Sequence, residues 1–452
     1  MIFATAPTST LVSAFAIVVM AVFVASDTLA DPHSTAPASP KSGPGQSFRD
    51  ADHTDPKITF DQKGLTVQSP DRKLELNLGG RLHLDAGGGE GQGTELDETS
   101  LWRGRVRRAR GELSLRYDER WSFGFEADAA DRRETIKDLA LGYSIGPFLL
   151  TVGNFKEPFS FERLQSDNNI TFLERSLVND LAPSRNVGAA LGAHGERWTA
   201  AVGVYGGNIN AEVGREGTSV TGRVTYAPLL EDEGRRVFHV GLSGSHRERN
   251  RQVGFAIEPT PESKVYDVAL IGFDPLHDVR GLTRGGIEAA FQNGPFRLQA
   301  EYLVARAERD GFSAEGERRR DAVFHGGYVQ AAYVLTGQSR PYELTPDAKY
   351  GVSYAVFGGL KLDDKDRVSR GGWGAWELAA RYSYLDLDTA GLDGGRQHNT
   401  TVGLNWYPET NVRVMTNWVH AHATDLKPEN EKRPGRARVD VDIVQVRLQI
   451  AY

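Results

Sequence analysis

The sequence predicts an all-β protein, a single antiparallel transmembrane β-barrel of 16 strands. Apolar and polar residues alternate with period two in about 16 segments, as expected for strands with one lipid face and one polar face. The connections between these segments alternate between short and long, which is typical of barrels in the bacterial outer membrane. The chain ends on an alternating segment with a terminal aromatic residue.

The alternation is clearest at the two ends of the predicted barrel. In residues 74–84, leucine and glycine alternate with glycine and polar residues, and residues 108–117 repeat the pattern. In the last strand, Val444, Val446, Leu448, Ile450 and Tyr452 alternate with Gln445, Arg447, Gln449 and Ala451. The alternative is the edge strand of a secreted β-sandwich, but an edge this apolar would invite aggregation unless it were covered. We expect the aromatic residues at strand ends to form the interfacial girdles: Trp121, Tyr302, Trp376, Tyr384, Trp406 and Tyr452.

The composition excludes several classes of protein. The 452 residues include no cysteine, which rules out thiolate metal sites, cysteine nucleophiles and a disulfide scaffold. The net charge of -7 gives no electrostatic footprint for nucleic acid. A mean hydropathy of -0.42 is compatible with a barrel, because only every second strand residue contacts lipid.

The chain divides into three predicted parts. Residues 1–30 are expected to be a signal peptide, because an apolar stretch at 11–24 precedes small residues at a cleavage spacing. A membrane anchor helix is the alternative, but the stretch is shorter than the ~20 residues needed to span. Residues 31–64 are rich in Pro, Ser, Gly and Asp, which predicts a disordered periplasmic linker. Residues 65–452 form the predicted barrel, whose lumen should hold water at this strand number.

The long connections are expected on the outer side of the membrane, with one exception. Residues 85–104, 156–186, 247–283 and 424–438 are long connections that fall on one side of the predicted barrel. Residues 337–372 are also long but fall on the side of the short turns.

Seven segments resemble the phosphate-selective porin O and P family, and they occur in family order from about residue 74 onward. They are RRAR at 107–110, GNFKEPF at 153–159, TFLER at 171–175, RVTYAPL at 223–229, LTGQSR at 335–340, GAWEL at 374–378 and GLNWY at 403–407. The resemblance implies a homotrimer of 16-stranded barrels, each with its third outer loop, residues 156–186, folded into the lumen as a constriction. It also implies passive uptake of small inorganic anions across the outer membrane, with phosphate or polyphosphate as candidates. We expect outer-membrane lipid and the barrel-assembly machinery as partners, the latter through the C-terminal strand, and no cofactor.

The candidate anion-binding residues are mainly arginines, because a guanidinium stays charged and donates two parallel hydrogen bonds to an oxyanion. By resemblance, Arg107 and Arg108 line the constriction, although strand alternation turns Arg107 to the other face unless a bulge intervenes. By resemblance also, the inward loop carries three further candidates, Arg163, Ser166 and Arg175. The resemblance implies that Arg223 and Arg247 belong to a ladder of arginines leading inward, and that Asp138 tempers anion binding.

Two departures from the family pattern predict weaker phosphate selectivity. Asn168 stands where phosphate-specific members carry a lysine, and Asp167 replaces a serine whose hydroxyl donates to the anion. A carboxylate there is expected to repel anions, since two charges 4 Å apart interact by about 4 kcal/mol at an effective dielectric constant near 20. Each arginine taken singly could also be paired with a neighbouring acid, Arg163 with Glu162 or Asp167 and Arg175 with Glu174.

The sequence alone leaves other functions open. One is a general or weakly selective porin for small hydrophilic solutes. Another is a barrel enzyme, which lacks support because the sequence shows neither a G-x-S-x-G elbow nor metal-ligand spacing. A plugged transporter or a purely structural barrel is a further alternative; the transporter would need an N-terminal plug, and the region before residue 65 is short and polar.

Overall fold

The computed structural model describes residues 55–61, 64–92, 102–130, 135–211, 217–249, 254–311, 319–344, 355–389, 391–426 and 437–452. The expected signal peptide and most of the expected linker lie outside these residues. Within the described ranges, no helix is both long and apolar enough to cross a membrane.

Sixteen antiparallel strands form a closed barrel, as the sequence predicted. Each strand pairs with the next, and the last strand closes the barrel on the first, from Ala451 opposite Arg81 to Asp440 opposite Gln92. The barrel strands are β3 (Leu74–Gln92), β4 (Arg103–Tyr117), β5 (Trp121–Asp128), β6 (Thr135–Ile145), β7 (Phe148–Lys156), β8 (Arg185–His194), β9 (Trp198–Tyr205), β10 (Ser219–Glu231), β11 (Arg236–Glu248), β12 (Val279–Asn293), β13 (Phe296–Arg309), β14 (Ala322–Val334), β17 (Ala375–Asp386), β18 (Arg396–Glu409), β19 (Val412–Leu426) and β20 (Ala437–Ala451).

A hairpin of β1 (Lys57–Asp61) and β2 (Gly64–Gln68) precedes the barrel and extends the sheet where the first and last barrel strands meet. Strand β2 pairs with the start of β3, and the ring of Phe60 lies 5.5 Å from that of Tyr452. The sheet therefore begins at Lys57, inside the segment expected to be a linker. The reason is that residues 57–61 alternate well enough to pair with β2, although they are too few to stand out in a polar stretch.

The connections are short at one end of the barrel and long at the other. The two ends of the barrel chain lie at the short-turn end, beside Gly80, which exchanges two backbone hydrogen bonds with Tyr452. Three connections shape the lumen: L3 (157–184) and L5 (249–278) from the long-loop end, and T6 (335–374) from the short-turn end. T6 is the predicted exception, and it contains the two-residue strands β15 (Tyr342–Glu343) and β16 (Val356–Phe357).

Side chains alternate between the outer surface and the lumen, as the period-two pattern predicts. In β20, Leu448 faces outward with 37% exposure, while its neighbour Gln449 faces inward with 6%. Arg447, also inward, is fully buried. On the outer surface, Trp121 and Tyr302 are exposed, and Trp376 stacks on Trp406 with ring centroids 5.6 Å apart. The girdle role of these aromatic residues stays a prediction.

A hydrophobic core fills part of the lumen, which the simple pattern of outward apolar and inward polar residues does not predict. L3 and L5 fold inward and pack on apolar residues that point inward from β12–β14, β17, β19 and β20. L3 forms a short helix α1 (Phe161–Leu164) and a 3-10 turn (Leu177–Leu181), and further 3-10 turns lie at Asp232–Gly234, Asp364–Asp366 and Val368–Arg370. The core includes Phe159, Leu177, Val178, Leu181, Phe255, Ile257, Ile271, Phe273, Leu303, Phe324, Leu385, Val419, Val441 and Ile443.

Candidate functional site

The inward loop L3 is anchored to the barrel wall through its helix α1. The backbone amides of Phe161 and Glu162 donate to the two carboxylate oxygens of Glu301 on β13, at 2.9 and 2.7 Å. These amides belong to the helix N-terminus, where no backbone partner exists and a carboxylate is favoured. Tyr328 on β14 donates to the same carboxylate at 2.7 Å. The start of L3 is therefore fixed to two neighbouring strands.

L5 is joined to L3 by one buried arginine. Arg381 on β17 donates to Glu162 of L3 at 3.2 Å and to Glu262 of L5 at 2.6 Å. Its guanidinium also lies 4.4 Å from the ring centroid of Phe172 in L3. All three charged side chains are 1% exposed. Because the arginine bridges two loops from the wall, neither loop can leave the lumen without exposing a buried charge.

T6 supports L3 from the short-turn end. Gln165 of L3 donates to the carbonyl of Phe357 at 3.0 Å, and Arg340 of T6 donates to the carbonyl of Asn169 at 2.6 Å. The rings of Phe161 and Phe357 lie 5.7 Å apart. L3 is thus held between L5 on one side and T6 on the other.

A β-bulge on β4 turns two adjacent arginines into the lumen. The pairing of β3 with β4 shifts between His83–Arg108 and Leu84–Val106, so that Arg107 is the extra residue. Arg107 donates to Glu174 of L3 at 2.7 and 3.0 Å. Arg108 forms ion pairs with Asp167 at 3.1 Å and with Glu174 at 3.7 Å. Strand alternation predicted that Arg107 faces inward only if a bulge intervenes, and the structure contains that bulge.

Asp167 is buried among three arginines. Its carboxylate is 2.6 Å from Arg175, 2.9 Å from Arg110 and 3.1 Å from Arg108, and its side chain is 6% exposed. Burial alone raises the pKa of Asp167, but the charges of Arg108, Arg175 and Arg110 outweigh it and hold the pKa well below its usual range. The expectation that this carboxylate repels the anion is therefore not supported by its position: three guanidinium groups neutralise it.

The expected pairing within the L3 sequence is wrong for Arg175. Its neighbour Glu174 pairs instead with Arg107, Arg108 and Arg447 from β4 and β20. Burial raises the pKa of Glu174, but these three arginines outweigh it and hold the pKa well below its usual range. Arg175 pairs with Asp167 and donates to the carbonyls of Glu162 and Gln165. Side chains at adjacent positions point in different directions in this loop, so proximity in sequence does not predict the pair.

In three ion pairs around L3 the arginine is more exposed than the acid with which it pairs. Arg175 is 15% exposed and Asp167 6%, and Arg107 is 19% exposed against 12% for Glu174. Arg185 on β8 donates to Asp138 on β6 at 2.9 Å, with 17% exposure against 2%. In these three pairs the guanidinium is more accessible from the lumen than the carboxylate, whereas Arg108 and Arg447 are buried more deeply than Glu174.

Arg163 and Arg284 add positive charge without an ion pair among the described residues. Arg163 of L3 donates to the carbonyl of Pro183 at 3.2 Å, and its terminal nitrogens contact no described acceptor. Burial, together with the charges of Arg175 and Arg185, lowers the pKa of Arg163 to about 10, so it stays charged at neutral pH. Arg284 points inward from β12, and two of its nitrogens are buried without a hydrogen-bond partner. Arg163 is near enough to Arg284 for their charges to interact.

The remaining predicted residues lie apart from this group. Arg223 is buried against Glu288 and the carbonyl of Ala355, and Arg247 is buried against Glu157 and Ser219. The Ser166 hydroxyl accepts a hydrogen bond from the backbone amide of Asn168, at 3.4 Å. The structure therefore brings Arg107, Arg108 and Arg175 together through shared acids and places Arg163 within electrostatic range, but it leaves Arg223 and Arg247 in the wall.

Sequence reasoning missed Arg185 and Arg284 as site residues. Arg284 stands on the polar side of an alternating segment with Glu288, so its inward direction was available from the pattern. The pattern could not predict that Arg284 lacks a hydrogen-bond partner for two of its nitrogens, because that depends on which loops fold next to β12. Arg185 follows L3 directly, and only the cross-strand contact with Asp138 reveals its place.

A family model described as "Phosphate-selective porin O and P" matches residues 76–452, most of the chain. The chain belongs to the phosphate-selective porin O and P family. It is therefore an outer-membrane porin, and the predicted bacterial outer-membrane location is confirmed. The family and the fold are those of a channel.

Individual relatives agree with this assignment. Porin O of Pseudomonas aeruginosa is 26% identical over 407 residues, covering 81% of this chain and 87% of the relative. An uncharacterized protein of Caulobacter vibrioides is 28% identical over 399 residues, covering 85% and 75%. Among solved structures, an anion-selective porin from Comamonas acidovorans superposes with a TM-score of 0.52 at 12% identity, covering 84% of this chain and all of that one. OmpT of Vibrio cholerae gives 0.51 at 11% identity, covering 84% and 98%.

Proposed function

We propose that this porin conducts small inorganic oxyanions, with phosphate as the leading candidate and polyphosphate as a longer substrate of the same chemistry. The proposal rests on three ion pairs at L3. In each of them the guanidinium is more exposed than the carboxylate, so a permeating ion meets Arg107, Arg175 and Arg185. Fixed positive charge on a narrow wall selects anions.

The site that binds the anion is proposed around Arg163 and Arg284. Neither has an ion pair among the described residues, so both keep hydrogen-bond donors for a ligand. A guanidinium fork matches an oxyanion with two parallel hydrogen bonds. Arg175 lies on L3 and Arg107 contacts L3 from β4, so these two residues would bind the ion next. Arg108 and Asp138 act as neutralised wall groups in this proposal, and Ser166, Arg223 and Arg247 hold local structure.

The test is ion selectivity in planar bilayers under a KCl gradient. The wild-type reversal potential is expected to show anion preference, and phosphate is expected to block the chloride current. The double variant Arg163→Gln and Arg284→Gln should weaken that block by roughly tenfold, corresponding to about 1.4 kcal/mol. Arg306→Gln is the matched control, because Arg306 is also an arginine on a barrel strand but lies on the outer surface, 60% exposed.

Two outcomes would redirect the proposal. If cations pass better than chloride, the channel is not an anion porin. If chloride passes preferentially but phosphate does not block, the second candidate applies, a general or weakly selective porin for small hydrophilic solutes. A third candidate, a barrel enzyme, gains nothing from the lumen histidines: His83 contacts Asn168 and Arg108, and His239 contacts Glu288 and Tyr342, none of which is a nucleophile paired with a base.

We also propose the assembly and processing implied by the family. Residues 1–30 would be removed as a signal peptide, the C-terminal strand would be read by the barrel-assembly machinery, and three copies would form a homotrimer in outer-membrane lipid. A solved form of OmpT from Vibrio cholerae is described as a trimer, which supports the last point by likeness of fold. Mass determination of the purified protein in detergent, with sequencing of its N-terminus, tests the trimer and the cleavage site.

A further inference from the structure

Three guanidinium groups share one carboxylate below L3, on the periplasmic side. Glu377 of β17 lies 3.0 Å from Arg297, 3.1 Å from Arg340 and 3.6 Å from Arg413. All four side chains are 4% exposed or less. No other carboxylate among the described residues forms an ion pair with these arginines, so three positive charges face one negative charge and two are in excess.

Backbone carbonyls satisfy these arginines only in part. Arg340 donates to the carbonyl of Asn169, and Arg413 donates to the carbonyls of Ile170 and Thr171. The Nε atoms of both arginines are nevertheless buried without a hydrogen-bond partner. Carbonyl dipoles do not remove the net charge, and a buried charge is costly unless a counter-ion pairs with it.

A cavity of about 170 Å³ adjoins the same two arginines. Its lining combines Arg340 and Arg413 with the Tyr407 side chain, the amides of Asn168 and Gln449, and Thr410 in the β18–β19 turn. That turn is one of the short connections, so the cavity lies at the periplasmic end of the lumen. Its walls supply charged and neutral donors in a space several times the ~30 Å³ that one water molecule occupies in the liquid.

We propose that this cavity is an exit site, where a small oxyanion such as phosphate pauses after passing L3 and before it reaches the periplasm. The inference rests on the proposed anion function and adds a second binding position to it. Conduction needs binding that is divided over several weak sites, so that the ion can enter and also leave. The excess charge attracts the ion through the constriction, and the open side of the cavity lets water replace the arginine contacts.

The test compares block by inorganic phosphate from the two sides of a bilayer. The chain has no cysteine, so one cysteine introduced in an outer loop reports the orientation of each channel through an impermeant thiol reagent. Asn411 also lines the cavity, and Asn411→Asp adds a negative charge there while every arginine and every residue of L3 is kept. Asn293→Asp is the matched control, because it adds the same charge at another periplasmic turn.

The expected result is that Asn411→Asp weakens block by periplasmic phosphate at least threefold and leaves block from the outer side within twofold. Asn293→Asp should leave block from both sides unchanged. Equal effects from both sides, or no effect, would overturn the exit site. Such a result leaves the anion preference in the KCl gradient intact, whereas failure of the proposed function would appear as a loss of that preference in the wild type itself.

Discussion

Asp167 receives three guanidinium groups in a space from which water is largely excluded. Removing one partner of a buried ion pair is costly, because the opposite charge stays behind unpaired. At Asp167 the consequence is amplified, since Arg108, Arg110 and Arg175 would repel one another. Stability and selectivity should therefore change in opposite directions when this carboxylate is lost.

Asp167→Asn is expected to destabilise the porin by about 3–5 kcal/mol while increasing its preference for anions. The loss follows from three unneutralised arginines, and the gain follows from the same uncancelled charge facing the lumen. Urea unfolding followed by tryptophan fluorescence measures the first, and the reversal potential in a KCl gradient measures the second. Asp363→Asn is the control, because Asp363 is 78% exposed in T6. Unchanged stability would show that Asp167 does not neutralise the arginines.

Acid should lower the stability of the porin through the carboxylates of Asp167 and Glu174. The folded-state pKa values of Asp167 and Glu174 lie well below their usual range, so their stabilisation is complete above about pH 4, the ordinary carboxyl range. It is lost as the pH falls from there through the depressed folded-state values. The unfolding midpoint of Asp167→Asn should therefore fall less than that of the wild type below about pH 4.

At the scale of elements, L3 is held by contacts from three directions. Glu301 anchors its helix, Arg381 ties it to L5, and Arg340 supports it from T6. The strands were predictable because alternation is a local property of the sequence. The inward paths of L5 and T6 were not, because they depend on partners 100 to 200 residues away, such as Phe357 beneath Gln165. The bulge at Arg107 depends in the same way on register with β3.

Arg381→Gln should loosen L3 and L5 together. It leaves the carboxylates of Glu162 and Glu262 buried without their shared cation, which favours outward movement of both loops. We expect noisier single-channel current with larger open levels. Arg396→Gln is the control, because Arg396 lies on the outer surface of β18.

A rescue variant separates charge from shape at this bridge. Glu162→Gln and Glu262→Gln combined with Arg381→Gln remove all three charges while keeping the side chains similar in size. Quiet current in the triple variant is expected if charge imbalance loosens the loops. Noise that persists in the triple variant would show instead that the cation contact with Phe172 or the hydrogen bonds to Glu162 hold the loops.

For the whole molecule, an apolar core occupies part of the lumen. Phe324, Val441 and Ile443 point inward and pack on the folded loops beside the outer halves of β14 and β20. Inward side chains with measurable exposure, such as Arg107 and Arg185, lie instead on β4 and at the start of β8. Sequence periodicity alone predicts a polar lining on all strands, because it cannot see that a loop covers an inward face.

One residue on each face of the barrel wall should distinguish lipid from water in the intact membrane protein. Leu242 on β11 faces outward with 58% exposure, and Arg185 on β8 faces the lumen with 17% exposure. Arg185→Cys should react with a water-soluble thiol reagent and lose conductance, whereas Leu242→Cys should stay unreactive in bilayers. Equal reactivity at both positions would contradict the assignment of one strand face to lipid and the other to the lumen.

The bulge on β4 makes Arg107 different from an ordinary lining residue. Replacing its side chain removes one charge. Deleting the residue also removes the bulge, and Arg108 and Val106 then keep their present partners, His83 and Leu84, in regular pairing. Val106 stays toward lipid, and Arg105, which donates to the carbonyl of Lys264, stays on the lumen side. The extra residue therefore adds a positive charge at this point of the pore wall without changing which side chains of β4 contact hydrocarbon, and a chain that lacks it should still insert and close its barrel.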